Sequence, residues 1–167
     1  MVRIGILSDT HGYLHPRVLN FLKEVDEIWH AGDIGDLKTA ETLNSFKPLS
    51  AVYGNIDGQD IRKVYPKIQR FRCGGIDVLI THIGGYPGRY EPSIRQIIEL
   101  EKPGLFVSGH SHILKVMYDK KHKLLHINPG AAGKYGIHKS ITAVRLIFEG
   151  DQMRDLEALD IPKTTLC

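Results

Sequence analysis

The stretch over residues 105–112 contains the side chains best suited to chemistry. Four residues typical of a buried strand run into Gly109, and His110 and His112 follow with one small residue between them. Side chains two residues apart in an extended chain point to the same side, so both imidazoles can reach one point beyond the strand. Imidazole is the commonest metal ligand among side chains. The spacing therefore makes His110 and His112 candidate metal ligands.

Four further apolar runs stop at residues of the same kind. We interpret residues 4–8, 27–31, 49–53 and 76–81 as buried strands. The candidate ligands that follow them, in chain order, are Asp9 and His11, then Asp33, then Asn55, then His82. Open α/β sheets bind ligands in the crevice outside the carboxyl ends of their strands. The five strand ends therefore predict one site assembled from five loops.

The candidate ligands combine imidazole with carboxylate and amide oxygen and include no thiolate: Asp9, His11, Asp33, Asn55, His82, His110 and His112. This set disfavours a closed structural zinc site and fits manganese, with Fe2+, Zn2+ and Ni2+ as alternatives. Seven ligands are too many for one tetrahedral ion, but two ions that share a carboxylate can use them all. Two metals roughly 3.5–4 Å apart clamp phosphate oxygens and make hydroxide available near neutral pH. The set predicts hydrolysis of phosphate esters.

Several of these residues also have a structural interpretation. Asp9 and Asp33 could cap helices, Asn55 could be a turn residue, and His82 could be a hydrogen-bonded histidine at a strand end. Recurrence at five strand ends favours the metal site over these separate explanations.

The remaining elements must position this site. Helices are predicted over residues 15–24, 36–46 and 92–101, and the first two make parallel βα units with the opening strands. Residues 56–60 and 84–88 are predicted as irregular loops rich in turn residues. Hairpins are predicted for residues 68–81, 114–127 and 140–159. We expect the late hairpins to form a second sheet packed on the first, in one α/β domain over residues 1–167.

Composition narrows the class of protein. Of 167 residues, 42% are hydrophobic and 25% charged, as in soluble globular proteins. The net charge of +3, without a basic block, argues against dedicated nucleic-acid binding. Cys73 and Cys167 form no disulfide framework, which favours the cytoplasm. The first strand follows Met1 directly and no apolar run reaches about 20 residues, so neither a signal peptide nor membrane attachment is expected.

The motifs resemble the signature of the calcineurin-like metallophosphoesterases over residues 1 to about 133. The matching motifs are Asp9-x-His11, Gly32-Asp33, Gly54-Asn55, His82 and Gly109-His110-x-His112. The short chain and the loop at residues 128–130 resemble the small, single-domain phosphodiesterase branch of bacteria and archaea. The resemblance implies a four-layer α/β/β/α sandwich of two mixed sheets flanked by helices.

The resemblance also implies roles for the ligands. One metal would be held by Asp9, His11, Asp33 and His112, and the other by Asp33, Asn55, His82 and His110, so that Asp33 bridges. The implied reaction is hydrolysis of a phosphate diester by in-line attack of a metal-bridging hydroxide, with His110 helping to stabilise the transition state. The substrate class is a small phosphodiester or a nucleotide-like molecule.

One position departs from the family pattern. Many relatives have a histidine directly after the asparagine of the third motif, where it assists the leaving group, but this chain has Ile56. The small branch often lacks this histidine too. Its absence leaves the general acid unassigned and predicts faster turnover of activated aryl esters than of alkyl phosphates.

The other polar residues are expected to play smaller parts. His30 lies inside the second strand and belongs in the core or behind the ligands, whereas His15 is expected at the surface. Three histidines are expected to be structural or solvated: His122, His126 and His138. Arg89 and Lys134 are candidate phosphate contacts, and the glycines of residues 84–88 either let phosphate approach or permit a sharp turn.

Two alternative functions remain open. The small subunit of the eukaryotic retromer coat resembles the same branch but serves as an interaction scaffold, which would make this chain a binding module. The complete ligand set argues against that alternative, because unpaired buried charge is costly without metal. The other alternative is a phosphomonoesterase or nucleotide hydrolase. Exposed edge strands favour a homodimer or higher homo-oligomer in each case.

Overall fold

Two five-stranded sheets face each other in the structure, a computed structural model that describes residues 1–166. The elements, in chain order, are β1 (Val2–Leu7), α1 (Pro16–Phe21), β2 (Glu27–His30), α2 (Leu37–Phe46), β3 (Leu49–Ala51), α3 (Gln59–Val64), β4 (Ile68–Cys73), β5 (Ile76–Thr81), β6 (Gly85–Tyr86), β7 (Arg89–Tyr90), α4 (Pro92–Glu101), β8 (Leu105–Val107), β9 (Leu114–Asp119), β10 (Leu124–Pro129), β11 (Ser140–Glu149), β12 (Gln152–Pro162) and a 3-10 helix (Lys163–Thr165).

The first sheet has the order β12-β11-β1-β2-β3. Strands β1, β2 and β3 are parallel, as their βα connections predict. β11 runs antiparallel to β1, with Ile4 opposite Leu146, and β12 completes this edge. The expectation that both late hairpins form the second sheet is therefore wrong for β11 and β12. Val144 and Phe148 of β11 belong to the core between the sheets, and Met153 of β12 packs against it, so the hairpin extends the apolar face of the first sheet.

The second sheet has the order β4-β5-β8-β10-β9. β5, β8 and β10 are parallel, and the two edge strands run antiparallel to them. The predicted hairpin around residues 74 and 75 is present, with Cys73 opposite Ile76. Both sheets are thus mixed, and each presents parallel strands at its centre.

The main core lies between the sheets. Because side chains alternate along a strand, Ile4 and Ile6 of β1 point inward and meet Val78 and Ile80 of β5. Trp29 of β2 fills the centre of this layer and is fully buried. Burying each aliphatic side chain of this kind contributes about 1.5–3 kcal/mol, so this layer holds the two sheets in register.

The helices cover the outer faces. Leu7, which alternates with Ile6, packs with Val18 of α1 in a second apolar cluster on the first sheet. On the opposite side, Ile94 and Ile98 of α4 pack with Leu79 of β5. Helix, sheet, sheet and helix therefore form the four-layer α/β/β/α sandwich that the resemblance implies.

Three local predictions need correction. Helix α1 ends at Phe21, not at residue 24, because tighter hydrogen bonds follow, such as that from the Lys23 N–H to the Asn20 carbonyl. Helix α3 begins inside the loop predicted over residues 56–60 and continues through residues without a predicted element. Only its Ile61 is buried, so it has no apolar periodicity. The loop predicted over residues 84–88 contains β6, which pairs with β7 directly after the loop in a short antiparallel ribbon.

Within residues 1–166 no helix has both the length and the apolar character needed to span a bilayer. Cys73 is a half-buried free thiol. Cys167 lies outside the described residues.

Candidate metal centre

The loops that follow β1, β2, β3, β5 and β8 carry the seven predicted ligands and lie together. In the first sheet the N–H of Asp9 donates to the carbonyl of Gly32 at 2.9 Å, and in the second the N–H of Gly109 donates to the carbonyl of His82 at 3.0 Å. The N–H of His110 joins the sheets by donating to Oδ2 of Asp9 at 3.1 Å. Main-chain hydrogen bonds therefore hold strand ends of both sheets around one point.

The first group of side chains consists of Asp9, His11 and His112, whose ligand atoms lie within 4.8 Å of one another. Nε2 of His112 is 3.1 Å from Oδ1 of Asp9, and Nε2 of His11 is 3.8 Å from the same oxygen. Asp9 is fully buried and both rings are partly exposed. One carboxylate and two imidazoles form a donor set suited to borderline divalent ions.

The second group consists of Asp33, His82 and His110, again with ligand atoms within 4.8 Å of one another. Asn55 joins this group through its side-chain oxygen, which is 3.0 Å from Nε2 of His82 and 3.1 Å from Nδ1 of His110. His110 and Asn55 are exposed, whereas Asp33 and His82 are buried. The group combines oxygen and imidazole ligands, with one ring facing solvent.

Asp33 lies between the two groups. Its Oδ2 is 3.2 Å from Nε2 of His82 in the second group and 3.5 Å from Nε2 of His11 in the first. Its Oδ1 accepts a hydrogen bond from the N–H of Ile56 at 3.0 Å. One carboxylate oxygen is thus held by the protein, and the other faces both groups.

Asp9, like Asp33, has one oxygen held by hydrogen bonds and one that faces the ligand groups. The partners of these oxygens show whether the residues fit a cation. Oδ2 accepts hydrogen bonds from the Ser8 hydroxyl at 2.6 Å and from the His110 N–H at 3.1 Å. Oδ1 of Asp9 and Nε2 of His11 are buried but have no hydrogen-bond partner in the described part of the chain. Buried polar atoms rarely lack a partner, so these two atoms fit a site that a cation completes.

The ring of His82 is oriented for the same purpose. Its Nδ1 lies 2.7 Å from the carbonyl of Ala31, which can only accept, so Nδ1 carries the proton. Nε2, the nitrogen facing Asp33 and Asn55, is then free of a proton in the neutral ring. Metal-binding histidines commonly donate their other ring N–H to a carbonyl in this way.

The electrostatics of the cluster couple acids to imidazoles. Burial opposes the charge on Asp9, but its contacts with His11 and His112 outweigh burial and lower its pKa. Burial likewise opposes the charge on Asp33, and contact with His82 lowers its pKa. The contact with Asp9 raises the pKa of His11, and Asp33 outweighs burial to raise the pKa of His82. Both carboxylates are therefore ionised and available to a cation at neutral pH.

The backbone at the site is strained. Five predicted ligands have a positive φ, at values between 47° and 71°: Asp9, His11, Asp33, His110 and His112. Non-glycine residues rarely adopt this left-handed region, and such strain clusters at functional sites. Gly54 adds a close approach, because a Cβ there would lie 2.1 Å from Oδ1 of Asp33. The loops are shaped to bring ligand side chains together at a conformational cost.

Sequence reasoning missed one important carboxylate, Asp57. It is buried and accepts hydrogen bonds from the N–H groups of Ile34 at 3.1 Å, Gly35 at 2.9 Å and Gly54 at 2.8 Å. These bonds fasten the loop after β2 to the loop after β3, so Asp57 fixes the separation between Asp33 and Asn55. The turn residues around position 57 gave no sign of this role beyond an acid in a glycine-rich loop.

His30 lies in the core, as predicted. It is fully buried, its Nε2 is 2.9 Å from the Thr10 hydroxyl, and its Nδ1 accepts from the N–H of Gly32 at 3.0 Å. Burial lowers its pKa to about 3, so the ring is neutral at physiological pH. His30 therefore holds the residue after Asp9 and the residue before Asp33 in place from inside the core.

The other histidines are held by hydrogen bonds. His15 is half-buried and caps α1 through Nδ1, although the sequence suggested a surface position. His122 pairs with Asp119 at 2.8 Å, and His126 is buried in the second sheet. Burial lowers the pKa of His138. The Nδ1 of His138 lies 3.1 Å from Nδ1 of His112, a link to a predicted ligand that the sequence did not suggest.

The candidate phosphate contacts lie near the cluster. The ribbon of β6 and β7 walls a cavity of about 300 Å³ that is lined by Arg89, Lys115 and His110 among others. Lys134 lies over the ring of Tyr13, with its Nζ 4.6 Å from the ring centroid. Arg89 therefore borders a cavity that reaches His110, whereas the ammonium of Lys134 is stacked on an aromatic face.

The fold and the two groups of acid and imidazole ligands define the class of protein. The chain belongs to the calcineurin-like phosphoesterase superfamily, whose domain model matches residues 2–151. Members of this family use divalent metals, and the two groups described above are the candidates for holding them.

Three proteins illustrate the relationship. A protein of Methanocaldococcus jannaschii named as a probable metallophosphoesterase is 30% identical over 134 residues, covering 77% of this chain and 67% of its own. A phosphodiesterase of the same organism is 29% identical over 153 residues, covering 80% and 86%. The crystal structure of Vps29 from Chaetomium thermophilum superposes with a TM-score of 0.75 at 15% identity, covering 97% and 99% of the two chains. This last likeness is one of fold.

Proposed function

We propose that this chain is a binuclear metal-dependent phosphodiesterase. The observation that carries the proposal is the position of Asp33, whose Oδ2 lies 3.2 Å from His82 of one ligand group and 3.5 Å from His11 of the other. In this proposal Asp9, His11, Asp33 and His112 hold one ion, and Asp33, Asn55, His82 and His110 hold the second. The partnerless buried atoms of Asp9 and His11 support the same assignment.

The bound ions, for which we propose Mn2+, supply a water of lowered pKa and positive charge beside the phosphate oxygens. The chain's residues hold the required geometry. Ser8 and the N–H of His110 keep one Asp9 oxygen turned away from the centre, and the N–H of Ile56 does the same for Asp33. Each carboxylate therefore presents its other oxygen to the centre.

His110 is the ligand best placed to meet substrate. Its ring is exposed, and it borders the cavity of about 300 Å³ beside the β6–β7 ribbon. We assign it a part in stabilising the negative oxygens of the transition state. In hydrolysis the oxygen of water bonds to phosphorus, and the bond from phosphorus to the leaving alcohol breaks. The departing oxygen takes up a proton. The residue after Asn55 is Ile56, whose hydrocarbon side chain cannot donate that proton.

The volumes of the cavities beside the ligand cluster suit a small substrate. A second cavity, of about 420 Å³, meets the cluster at Asn55 and His82 and is also lined by Arg62 and Lys67. A phosphate diester has two substituents, and two cavities that border the second ligand group, one at Asn55 and His82 and the other at His110, can accommodate one each. The basic residues suit a small phosphodiester or a nucleotide-like molecule.

The test is hydrolysis of bis(p-nitrophenyl) phosphate by chelator-stripped protein, with and without Mn2+, beside hydrolysis of p-nitrophenyl phosphate. His110→Ala is the site variant. His122→Ala is the matched control, because His122 pairs with Asp119 away from the cluster. We expect Mn2+-dependent diester hydrolysis that is lost in His110→Ala and retained in His122→Ala. Preference for the monoester would redirect the assignment to a phosphomonoesterase.

A non-catalytic interaction scaffold is the second candidate. Ile113 is 62% exposed and Ile137 is fully exposed, and both line the groove that contains His110 and His112. Exposed apolar side chains of this kind suit a protein partner. The full ligand set favours the enzyme, because a scaffold has no use for partnerless buried charge. Folded protein without hydrolysis in the presence of any divalent ion would favour the scaffold.

A further inference from the structure

His138 and His112 meet through their Nδ1 atoms, which are 3.1 Å apart. Two ring nitrogens form a hydrogen bond only if one of them carries a proton and the other does not. Which ring donates therefore decides which nitrogen of His112 is left for a metal.

The second contact of His138 settles the direction. Its Nε2 lies 2.8 Å from the carbonyl oxygen of Gly133, which can only accept, so Nε2 carries the proton. In the neutral ring Nδ1 of His138 is then bare and accepts. The donor is therefore Nδ1–H of His112, and its Nε2 faces Oδ1 of Asp9 at 3.1 Å.

We propose that His138 is a positioning residue, which accepts the Nδ1–H of His112 and thereby presents the Nε2 of His112 to the metal. The inference rests on the proposed function, in which His112 is a ligand. It gives His112 the arrangement that the carbonyl of Ala31 gives to His82, where Nδ1 donates and Nε2 faces the centre. The difference is that a side chain, not the backbone, supplies the acceptor.

The loop between Gly133 and Ser140 is held close to both rings. Gly136 has φ of +130°, and a Cβ on it would lie 2.7 Å from Nδ1 of His112 and 2.9 Å from Nδ1 of His138. Nζ of Lys163 donates to the carbonyl of Gly136 at 2.8 Å and fastens the loop to the chain after β12. The contact between the rings thus depends on a loop that is fixed on its far side.

Ring packing also orients His112 and His138. The His112 and His138 rings meet edge to face, with centroids 4.9 Å apart and planes at 80°. On its other side the His112 ring meets His11 in the same manner, with centroids 5.6 Å apart. The His112 ring therefore lies between the rings of His11, another proposed ligand, and His138. Loss of His138 would remove the packing contact on one side of the His112 ring.

Partners behind a metal ligand change metal affinity by about 10–100-fold. The variants His138→Leu and His138→Asn have side chains of similar size, but only asparagine places an acceptor oxygen near the position of Nδ1. We expect the Kd for Mn2+, measured by calorimetry on the whole chain, to rise about 10–100-fold in His138→Leu and to be largely restored in His138→Asn. His122→Asn, which alters a histidine away from the cluster, should leave the Kd unchanged.

A direct measurement reads the proton itself. A long-range 1H–15N correlation spectrum of the metal-free protein distinguishes protonated from bare ring nitrogens. We expect Nδ1 of His112 to be protonated and Nδ1 of His138 to be bare, and in the Zn2+ form the Nε2 resonance of His112 should shift. A bare Nδ1 of His112 would overturn the inference, as would equal Kd values for His138→Leu and the wild type.

The two experiments separate this inference from the proposed function. If the wild type binds no Mn2+, the binuclear phosphodiesterase proposal fails, and the inference that His138 prepares His112 for a metal fails with it. If the wild type binds Mn2+ and hydrolyses the diester while the His112 tautomer is the opposite one, only the role of His138 fails. Protonated Nδ1 together with weakened binding in His138→Leu supports both.

Discussion

The N–H of Ile56 donates a hydrogen bond of 3.0 Å to Oδ1 of Asp33, while the side chain of Ile56 is 48% exposed beside the ligand cluster. The backbone of this residue thus supports the proposed bridging carboxylate, and its side chain lies partly in solvent next to Asn55 in the chain. The resemblance to the family pattern leads us to expect a histidine that assists the leaving group at this position. Residue 56 of this chain therefore provides a main-chain contact to Asp33 but no side-chain proton donor.

We expect catalysis to depend strongly on the leaving group. An activated aryl alcohol departs without protonation, whereas an alkyl alcohol needs an acid, which Ile56 cannot supply. Rates for bis(p-nitrophenyl) phosphate and for a dialkyl phosphate should therefore differ widely at saturating Mn2+. Comparable rates for the two leaving groups would contradict this prediction.

Restoring the histidine should narrow that difference. General acid catalysis contributes about 100-fold or more when the donor is positioned, and the exposed position of residue 56 gives an imidazole room to reach a leaving oxygen. Ile56→His should therefore raise the alkyl-ester rate by about 10–100-fold with little effect on the aryl ester. Ile56→Gln, which is polar but cannot act as an acid, is the matched control, and an equal gain in both variants would refute the explanation.

Asp57→Asn should destabilise the protein. The carboxylate accepts three main-chain N–H groups, and an amide presents its own N–H₂ to at least one of them. Losing hydrogen bonds to a buried charged acceptor costs about 2–3 kcal/mol in the free energy of unfolding, measured in urea. Asp151→Asn alters an exposed turn and should change that free energy by about 0.5 kcal/mol or less. Equal values for the two variants would rule out the role given to Asp57.

The sequence predicts the cluster's composition well because each predicted ligand follows an apolar run. Asp9 and Asp33 come after two parallel strands, and such strand ends lie at one edge of a sheet. The packing of the second sheet on the first decides which residues of the second sheet approach Asp9 and Asp33. The hydrogen bond from the N–H of His110 to Asp9 joins residues 101 apart in the chain. No local sequence pattern predicts a contact over that separation.

Features without a local pattern were not predicted. β11 pairs with β1 in the first sheet, with Leu146 opposite Ile4. The turn residues that predict a hairpin do not indicate which sheet the hairpin joins. The contact between His138 and His112 joins residues 26 apart, and His138 lies in the irregular loop between β10 and β11. Helix α3 buries only Ile61, so no apolar periodicity marks it.

Acid should destabilise the protein partly through His126. Burial lowers the pKa of His126 to about 4, against about 6.5 for an unfolded chain. Between these values the unfolded chain binds a proton that the folded protein does not, so the free energy of unfolding decreases as pH falls from about 6.5 to about 4. The contribution of His126 is present in full above the higher value and is lost at the lower one.

His126→Gln isolates this contribution. Glutamine does not titrate and keeps a group able to donate to the Ser108 hydroxyl, which lies 2.9 Å from Nε2 of His126. In chelator-treated protein, urea unfolding at several pH values should show a shallower loss of stability toward pH 4 in the variant. The difference should be about 3 kcal/mol over this range. Parallel pH curves for the two proteins would show that His126 titrates normally when folded.

Metal binding should stabilise the folded chain through Asp33. A ligand that binds only the folded state adds about 2.7 kcal/mol at a free concentration of 100 times its Kd, and Mn2+ added to chelator-treated protein should therefore raise the free energy of unfolding by this amount. Asp33→Asn removes the negative charge that lies between His11 and His82, so most of the stabilisation should disappear. Asp77→Asn, which alters an exposed carboxylate near Arg72, should retain it. Because both variants lose one acidic charge, a difference between them reports the position of Asp33, and equal stabilisation by Mn2+ in the two would exclude a bridging role for Asp33.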